Sequence, residues 1–428
     1  MPWPAFPTKT SEGQEGGALR SAPGPAPDNS PSPGRAEQDE LPEGWQRRPL
    51  GDICELVSEQ VQPGKSEGLR YIGLEHIDSG EPTLKRWGST DEVRSAKSCF
   101  DAGDVLYGKL RPYLDKAANA EFRGICSTDI LVFRAKSSRA VPEFLVSALH
   151  TTAFLRHAVS TTTGVNHPRT SWSALKSYSL CVPPLLEQQA IAEVLQTVQR
   201  AKEATEKVIA ATRQLKASLM KHLFTYGPVP MEQAAHVPLN EMEGGAFPAA
   251  WEMKRFDSFA TLQRGQDLPR WEFKGGPIPV IGATTIIGYH DTANVKGPGV
   301  TVVRSGSSVG KPLFIDRDFW AHNVVLYVKD FHGNDPKFVF YKLLVLGLEK
   351  FRAGVAVPTL NRNTFSNAQI TVPALWEQQQ IAMQLSAVDA ELAAEESRRA
   401  ALAALFQSLL HHLMTGKLRL PEFAEGKA

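Results

Sequence analysis

Two long stretches without proline or glycine dominate the pattern of apolar and polar positions. They begin in related blocks 190 positions apart, Val182–Ala192 (VPPLLEQQAIA) and Val372–Ala382 (VPALWEQQQIA), and they end at Gly227 and Gly416. Their apolar residues follow alternating steps of four and three, and their composition favours helix. The pattern predicts two long helices with coiled-coil seams, formed by Ile191, Leu195, Val198, Thr205, Ile209, Thr212, Leu219 and Leu223 in the first and by Ile381, Leu385, Val388, Leu392, Leu402, Phe406, Leu409 and Leu413 in the second.

Charged residues interrupt both seams, and the charges of the two stretches are complementary. Lys202 and Lys216 fall on the first seam, and Glu395 and Arg399 on the second. Residues 187–222 carry six basic and four acidic side chains, whereas 377–412 carry two and five. We therefore expect each helix to pack against the other. If a globular unit lies at each end of the pair, the helices run antiparallel, and 36 residues span about 54 Å.

Each long helix follows a β-rich segment, and the two segments match loosely. Pro42–Trp45 opens the first and Pro248–Trp251 the second. Period-two and β-branched runs predict strands, and each segment also contains one amphipathic helix. The predicted strands are 71–77, 104–110, 130–136 and 177–182, then 278–284, 299–306, 324–330 and 368–372; the predicted helices are 142–159 and 337–351.

These patterns divide the chain into a repeated order of globular unit and long helix. Residues 1–41 hold eight of the 30 prolines, and we expect them to be disordered. The remaining boundaries are a first domain at 42–186, a first helix at 187–223, a linker at 224–247, a second domain at 248–376, a second helix at 377–415 and a C-terminal tail at 416–428.

Composition excludes several classes of protein. The net charge is +1, which rules out a uniformly basic nucleic-acid coat but not a basic face. No apolar run is long enough to span a bilayer, and no basic and apolar leader opens the chain, so we expect neither a membrane protein nor a secreted one. The four cysteines are widely spaced, without a C-x-x-C pair, which fits the cytoplasm.

Motifs for catalysis and cofactor binding are missing, which predicts a non-catalytic chain. Gly306–Pro312 resembles a phosphate loop, but its spacing is one residue short and proline replaces the Mg²⁺-binding hydroxyl. No dinucleotide fingerprint follows a predicted strand, and no Asn/Asp-Pro-Pro-aromatic tetrapeptide marks an amino-methyltransferase. The histidines at 222, 411 and 412 lack the partners of a zinc motif. We expect neither a metal nor a cofactor on this chain.

Loops of mixed basic and polar composition are the candidate contacts with nucleic acid. Residues 43–185 hold 18 basic and 16 acidic side chains, and 248–376 hold 15 and 10, so both units are mildly positive. Similar loops occur at matching places in both, and their side chains are of types that contact phosphates and base edges. The candidate DNA-binding residues are Lys109, Arg111, Tyr113, Asn166, His167 and Arg169 in the first unit and Arg304, Ser305, Ser307, Lys311, Asn361, Arg362 and Asn363 in the second.

The chain from about residue 42 onward resembles the specificity subunits (HsdS) of type I restriction–modification systems. The resemblance is carried by the two Pro-Pro/Ala-Leu-x-Glu-Gln-Gln-x-Ile blocks, by 104–113 (DVLYGKLRPY), by 127–133 (STDILVF) and by Thr163-Gly164. The second half departs more, since Arg304–Lys311 replaces the Lys-x-Arg-Pro-Tyr run. The resemblance implies an α+β fold with two pseudo-repeated target recognition domains, separated by two long antiparallel coiled-coil helices.

The resemblance also implies function and partners. Each domain would read half of a split double-stranded DNA sequence, in a phage-defence complex with two methyltransferase subunits and with restriction subunits that carry the motor and nuclease. Those partners would use S-adenosylmethionine, ATP and Mg²⁺ for adenine methylation and ATP-dependent cleavage. Two alternatives are a coiled-coil adaptor that does not touch DNA, which leaves the paired polar loops unexplained, and a fused methyltransferase, which lacks its motifs.

Overall fold

The computed structural model describes residues 41–62, 68–242, 245–354 and 358–424. Almost all of the proline-rich 1–41 segment, for which disorder is predicted, therefore lies outside the described residues. The chain divides into two compact units. The first comprises the residues up to Thr205 together with those from Ser397 onward, and the second is Glu206–Glu396. Both boundaries fall inside a long helix, so each unit contains part of both long helices.

The first unit consists of short strands and short helices, followed by the start of a long helix. Its strands are β1 (Gln46–Pro49), β2 (Cys54–Val57), β3 (Gln60–Val61), β4 (Arg70–Ile72), β5 (Gly88–Ser89), β6 (Lys97–Phe100), β7 (Val105–Gly108), β8 (Ala117–Asn119), β9 (Gly124–Cys126), β10 (Ile130–Ala135) and β11 (Ser179–Val182). Its helices are α1 (Leu50–Ile53), α2 (Pro142–Leu149), α3 (Thr152–Ser160), α4 (Trp172–Leu175) and α5 (Leu185–Tyr226), which continues into the second unit.

Two sheets enclose part of the core of the first unit. One is antiparallel with the order β2-β10-β7-β8, and the other has the order β3-β6-β9-β4-β5, in which β4 and β9 are parallel. Buried apolar residues fill the space between them, among them Ile72, Phe100, Leu106 and Val132. A second cluster joins Tyr107, Phe133 and Phe144 to the long helices. The strand run at 104–110 is apolar on both sides because both faces of β7 are covered.

The second unit repeats this plan with different lengths. Its strands are β12 (Leu239–Met242), β13 (Gly245–Pro248), β14 (Glu252–Arg255), β15 (Thr261–Arg264), β16 (Ile278–Gly282), β17 (Thr285–His290), β18 (Gly299–Val303), β19 (Pro312–Ile315), β20 (Trp320–Ala321), β21 (Val325–Asp330), β22 (Arg352–Ala353), β23 (Thr359–Leu360) and β24 (Gln369–Val372). Its helices are α6 (Phe256–Phe259), α7 (Pro336–Leu346), α8 (Arg362–Phe365) and α9 (Leu375–Met414), which ends in the first unit; α10 (Pro421–Ala424) follows there.

Strand pairing shows that the two units share one scaffold. The sheet β15-β21-β18-β19 corresponds to β2-β10-β7-β8, and the parallel pair β16 and β20 corresponds to β4 and β9. The strand that directly follows Trp45 or Trp251 pairs with the strand before the long helix of its unit, through Gln46↔Val182 and Glu252↔Val372. The repeat predicted from the two blocks therefore extends through the globular parts.

Within each unit, segments of the two long helices pack antiparallel. In the first, Lys202 lies against the ring of Phe406, and Glu187 binds Arg419, which follows the end of α9. In the second, Lys216 pairs with Asp389 and Arg213 with Glu396. None of the sixteen predicted seam side chains is fully exposed, and the most deeply buried lie near the helix ends.

The structure corrects several element boundaries. The predicted helix 142–159 is two helices, because the Thr151 hydroxyl accepts a hydrogen bond from the Phe154 amide and starts a new one. The predicted helix 337–351 ends at Leu346, since Gly347 has φ 59°. The predicted strand 71–77 is β4 followed by a 3-10 turn at Leu74–His76. The linker 224–247 contains a 3-10 helix at Met231–His236 and the hairpin β12–β13.

Candidate nucleic-acid interface

Four strand ends meet at one end of the main sheet of the first unit. Antiparallel pairing places the ends of β2 and β7 next to the starts of β8 and β10. We call this the loop end of the unit. Residues 109–116 connect β7 to β8 there, and the amide of Lys109 donates to the carbonyl of Asp129 just before β10.

The two candidate loops of the first unit lie side by side at this loop end. The Arg111 amide donates to the Pro168 carbonyl at 2.7 Å, and the Thr170 amide donates to the Lys109 carbonyl at 3.1 Å. The second loop is itself a tight hairpin, in which Thr163 and Arg169 exchange both backbone hydrogen bonds and Gly164 turns the chain at φ 90°. The tertiary structure thus joins two groups of three predicted residues, which are more than 50 positions apart in sequence, into one surface.

Arg111 is exposed and conformationally restrained. Its backbone adopts the left-handed region at φ 52°, and it precedes a 3-10 turn whose first residue, Pro112, is buried. An ion pair with Asp115 would have made it an ordinary surface residue. Instead, the Asp115 carboxylate accepts a hydrogen bond from Nδ1 of the buried His150 at 2.9 Å. Within the described ranges, the Arg111 guanidinium has no ion pair, so its donors are available to a ligand.

The neighbours of Arg111 differ in how firmly they are held. Arg169 binds Asp129 through two hydrogen bonds of 2.9 and 3.3 Å, which lower the pKa of that carboxyl. His167 and Arg111 line a cleft of about 340 Å³ together with Leu74 and Lys116. Asn166 is exposed, and Tyr113 is 53% exposed. Arg169 is therefore positioned before any ligand arrives, whereas Asn166 and Tyr113 face solvent.

The same backbone pairing recurs in the second unit. The Gly306 amide donates to the Pro358 carbonyl, the Leu360 amide donates to the Arg304 carbonyl, and Ser305 bridges Thr359. This pattern places Arg304 at the position of Lys109 and Gly306 at that of Arg111. Ser307 and Lys311 are exposed on the loop that follows. The second unit has no arginine at the position of Arg111.

Three predicted residues of the second unit lie at a helix start rather than in the paired loop. The Asn361 side chain accepts from the Asn363 amide and caps α8, as the Ser171 hydroxyl caps α4 through the Ala174 amide. Arg362 donates to the Leu262 carbonyl at 3.2 Å. These residues are exposed, but the counterparts of Asn166–Arg169 by strand pairing are 356–359, of which 356 and 357 lie outside the described residues.

Sequence reasoning missed polar and aromatic residues that follow β15. The Asn323 amide donates to the Asp267 carboxylate at 2.6 Å, and Arg264 donates to the Asn323 carbonyl. The Arg304 and Gly265 amides donate to the Val324 and Val325 carbonyls, next to Asn323. The loop after β15 therefore lies where β18 ends and β21 begins, which is the loop end of the second unit. Trp271 lies further along this loop and is 85% exposed. An isolated tryptophan among Arg270, Glu272 and Lys274 was the available signal.

Neither a membrane-spanning helix nor a metal-binding cluster occurs among the described residues. No described helix combines the length and apolar character needed to cross a membrane. No cluster of three or more His, Cys, Asp or Glu side chains suited to a metal ion occurs in the described part of the chain. His222, one of the histidines considered above, hydrogen-bonds the carbonyl of Val229 at 2.7 Å.

Comparison with known proteins identifies the shared scaffold. The family described as "Type I restriction modification DNA specificity domain" matches residues 42–212 and 248–404. The putative type I restriction enzyme MjaX specificity subunit of Methanocaldococcus jannaschii is 22% identical over 415 residues, covering 90% of this chain and 96% of its own. The type I restriction enzyme EcoDI specificity subunit of Escherichia coli is 26% identical over 190 residues, covering 43% and 42%. The solved S subunit of a type I restriction–modification system from M. genitalium has the same fold, with a TM-score of 0.64 at 14% identity over 89% of this chain and 98% of that one.

Proposed function

The chain belongs to the family of type I restriction–modification DNA specificity domains, and from this premise we propose that it directs a type I restriction–modification complex to a bipartite DNA sequence. It is a specificity subunit, the component that recognises DNA and does not itself catalyse methylation or cleavage. The adaptor and fused-methyltransferase alternatives are disfavoured, because the family match covers both globular parts.

One observation carries the bipartite assignment. Both units present two loops joined by the same backbone hydrogen bonds, Arg111 to Pro168 in the first and Gly306 to Pro358 in the second. The scaffold is repeated, but the side chains at equivalent loop positions differ. Two related frames with different contact residues suit the reading of two different half-sites. We accordingly propose residues 42–186 and 248–376 as the two target recognition domains, and the thirteen loop residues as their first candidate contacts.

The partners follow from the family. The chain acts with double-stranded DNA and with other subunits of its restriction–modification system. We propose that these are two methyltransferase subunits, which use S-adenosylmethionine to methylate adenine, and restriction subunits, which use ATP and Mg²⁺ for cleavage. We propose the cytoplasm as the compartment, because the DNA to be read lies there.

A domain exchange tests the assignment. Residues 43–185 are replaced by the matching segment of another specificity subunit, and methylated adenines are mapped in cells that also express the methyltransferase. We expect one half of the motif to change and the other to persist. Exchange of 248–376 is the matched control and should change only the other half. A change of both halves in either chimaera, or an undivided motif, would contradict the proposal.

A further inference from the structure

Arg70 of the first unit is an arginine whose guanidinium is oriented by aromatic rings. Its Cζ atom lies 4.0 Å from the ring centroid of Trp87 and 4.5 Å from that of Phe122. The two rings are inclined at 68° to each other, with centroids 5.5 Å apart, so the guanidinium occupies the corner between them. Stacking of this kind leaves the N–H groups at the edge of the guanidinium plane free to donate.

The edge of this guanidinium has no partner in the described part of the protein. Arg70 makes no side-chain hydrogen bond or ion pair with a described residue, in contrast to Arg86, Arg123, Arg134 and Arg169, which all bind carboxylates of the same unit. Two aromatic side chains restrict the motion of Arg70, yet none of its five donors bonds a residue that the structure describes. This combination orients the group before binding and leaves its hydrogen-bonding capacity for a ligand.

Arg70 also lines an open cleft of the first unit. The cleft has a volume of about 580 Å³, and its polar wall comes from Ser89, Thr90 and Asp91. Trp87 is 46% exposed beside it. The cleft therefore offers a planar donor group, hydroxyl groups and a carboxylate on one accessible surface, which suits the edge of a base better than an apolar ligand.

The second unit lacks this arginine although it has the same parallel strand pair. Ser127 donates to the Ile72 carbonyl after β4, and His322 donates to the Ile281 carbonyl in the same way, so Ile281 corresponds to Ile72. Counting back along β16 places Pro279 at the position of Arg70. Features that serve the common scaffold are the same in both units, such as the tryptophans at 45 and 251. A feature present in only one unit is expected where the two units read different bases.

We propose that Arg70 is a specificity-determining residue of the first unit, which donates two hydrogen bonds to the acceptor edge of a guanine. The proposal rests on the DNA-recognition function proposed above. Guanine presents O6 and N7 side by side in the major groove, and this spacing matches the fork of an oriented guanidinium. Trp87 and Phe122 act as positioning residues, because they hold the plane of the fork.

The test uses the complete chain in complex with its cognate methyltransferase. The motif of the parent complex is first mapped from methylated adenines, and binding is then measured to a duplex carrying that motif and to a scrambled duplex. For Arg70→Ala we expect roughly ten- to hundredfold weaker binding to the motif duplex, with scrambled binding changed less than twofold. The methylated motif should become degenerate at one position of one half-site. Trp87→Leu, which frees the guanidinium, should give a smaller loss at the same position.

Two further variants sharpen the result. Arg70→Lys keeps the charge but lacks the fork, so the same degeneracy is expected; full retention of the guanine preference would overturn the proposal in favour of a phosphate contact. Arg123→Ala removes an exposed arginine that already pairs with Asp101 and should leave the motif unchanged. An unchanged motif and affinity in Arg70→Ala would also overturn the proposal, as would loss of methyltransferase binding with DNA preference intact. A parent complex that methylates no divided motif would instead refute the proposed function.

Discussion

The ammonium group of Lys202 lies 2.6 Å from a carboxylate oxygen of Glu81. Lys202 is on α5 and Glu81 is in the loop after the 3-10 turn at Leu74–His76, and both side chains are largely buried. Gln199 donates to the same carboxylate at 2.8 Å, and Thr83 donates to Glu203. Lys202, which interrupts the predicted seam, therefore links α5 to the globular part of the first unit through its ion pair with Glu81.

We expect Lys202→Met to lower the free energy of unfolding by about 2 kcal/mol, because it removes the closer and more buried counter-charge of the Glu81 carboxylate and leaves Lys85 at 3.4 Å. Burial alone would raise the pKa of Glu81, but the hydrogen bonds from Lys202 and Gln199 and the charge of Lys202 outweigh it and hold that pKa below 4.5. The pair therefore stabilises the protein above this pH and loses its contribution as the pH falls through the lowered pKa.

Urea unfolding at pH 7 and pH 3 checks this prediction. The difference between parent and Lys202→Met should shrink at the lower pH, and the double variant Lys202→Met/Glu81→Leu should recover most of the stability at pH 7. Lys207→Met, on an exposed position of the same helix, is the matched control. Equal losses in Lys202→Met and Lys207→Met would show that the pair contributes nothing.

Arg419 is predicted to fasten the C-terminal segment to the first unit. It donates to both oxygens of Glu187 at 2.9 and 2.8 Å, while the indole of Trp45 donates to the same carboxylate at 3.0 Å. The Glu187 side chain is 1% exposed, so Arg419→Ala would leave a buried carboxylate and should cost about 3 kcal/mol. Thermal unfolding of Arg419→Ala against the exposed Lys417→Ala measures the effect, and equal melting temperatures would argue against it.

Lys342 is predicted to destabilise the second unit at neutral pH. Burial lowers its pKa to about 8. Its ammonium group donates to Thr371 at 2.9 Å and lies near the rings of Phe224 and Trp251. Lys342 binds its proton more tightly in the unfolded chain than in the folded protein. The free energy of unfolding therefore rises with pH between about 8 and 10.5. Below pH 8 the full cost of burying the charge, roughly 3 kcal/mol, applies.

Replacement of Lys342 by Met should therefore raise the unfolding midpoint at pH 7. The advantage of the variant over the parent should narrow as the pH approaches 10, because the folded lysine is then neutral and only the small cost of deprotonating the unfolded chain remains. The exposed Lys329→Met should show no such pH dependence relative to the parent. A difference that stays constant from pH 7 to pH 10 would rule out titration of Lys342 as the cause.

Arg111 and Lys109 are predicted to differ in what they contact. Arg111 is exposed, without an ion pair among the residues described, and its fork can bond both acceptors of a guanine. We expect Arg111→Ala to cost about 1–3 kcal/mol on the cognate duplex and to relax preference at one base pair. Lys109→Ala should weaken cognate and scrambled duplexes about equally and lower the salt slope by roughly one.

Titration of both variants at two salt concentrations separates these effects. Asp129→Asn is an informative companion, since it releases Arg169 without changing Arg111. If Arg111→Ala binds both duplexes like the parent, the loop at 109–113 does not read bases, and Asn166–Arg169 becomes the leading candidate.

The repeat, the two long helices and the order of the parts could all be predicted from the pattern of residues along the chain. These features depend on local periodicity and on the absence of helix breakers, both of which are visible in a linear pattern. The sequence also located the loops at 109–113 and 161–170. It misplaced the break at Thr151 and the end of α7 at Gly347, because a single cap or a left-handed residue outweighs an amphipathic pattern over one turn.

Which loops meet, and which described side chains lack a partner among the described residues, depends on tertiary packing. The hydrogen bond from Arg111 to Pro168 joins segments 57 positions apart, and the Asp115 carboxylate contacts the distant His150 rather than the nearby Arg111. The contacts of the first glutamine in each repeated block, Gln188 and Gln378, could not be predicted from the sequence either. Gln188 bonds the Arg139 and Pro183 carbonyls and Gln378 bonds Asn334 and the Pro373 carbonyl, so each block fastens its helix to its own unit. Such pairings depend on packing between distant segments, which one-dimensional periodicity does not encode.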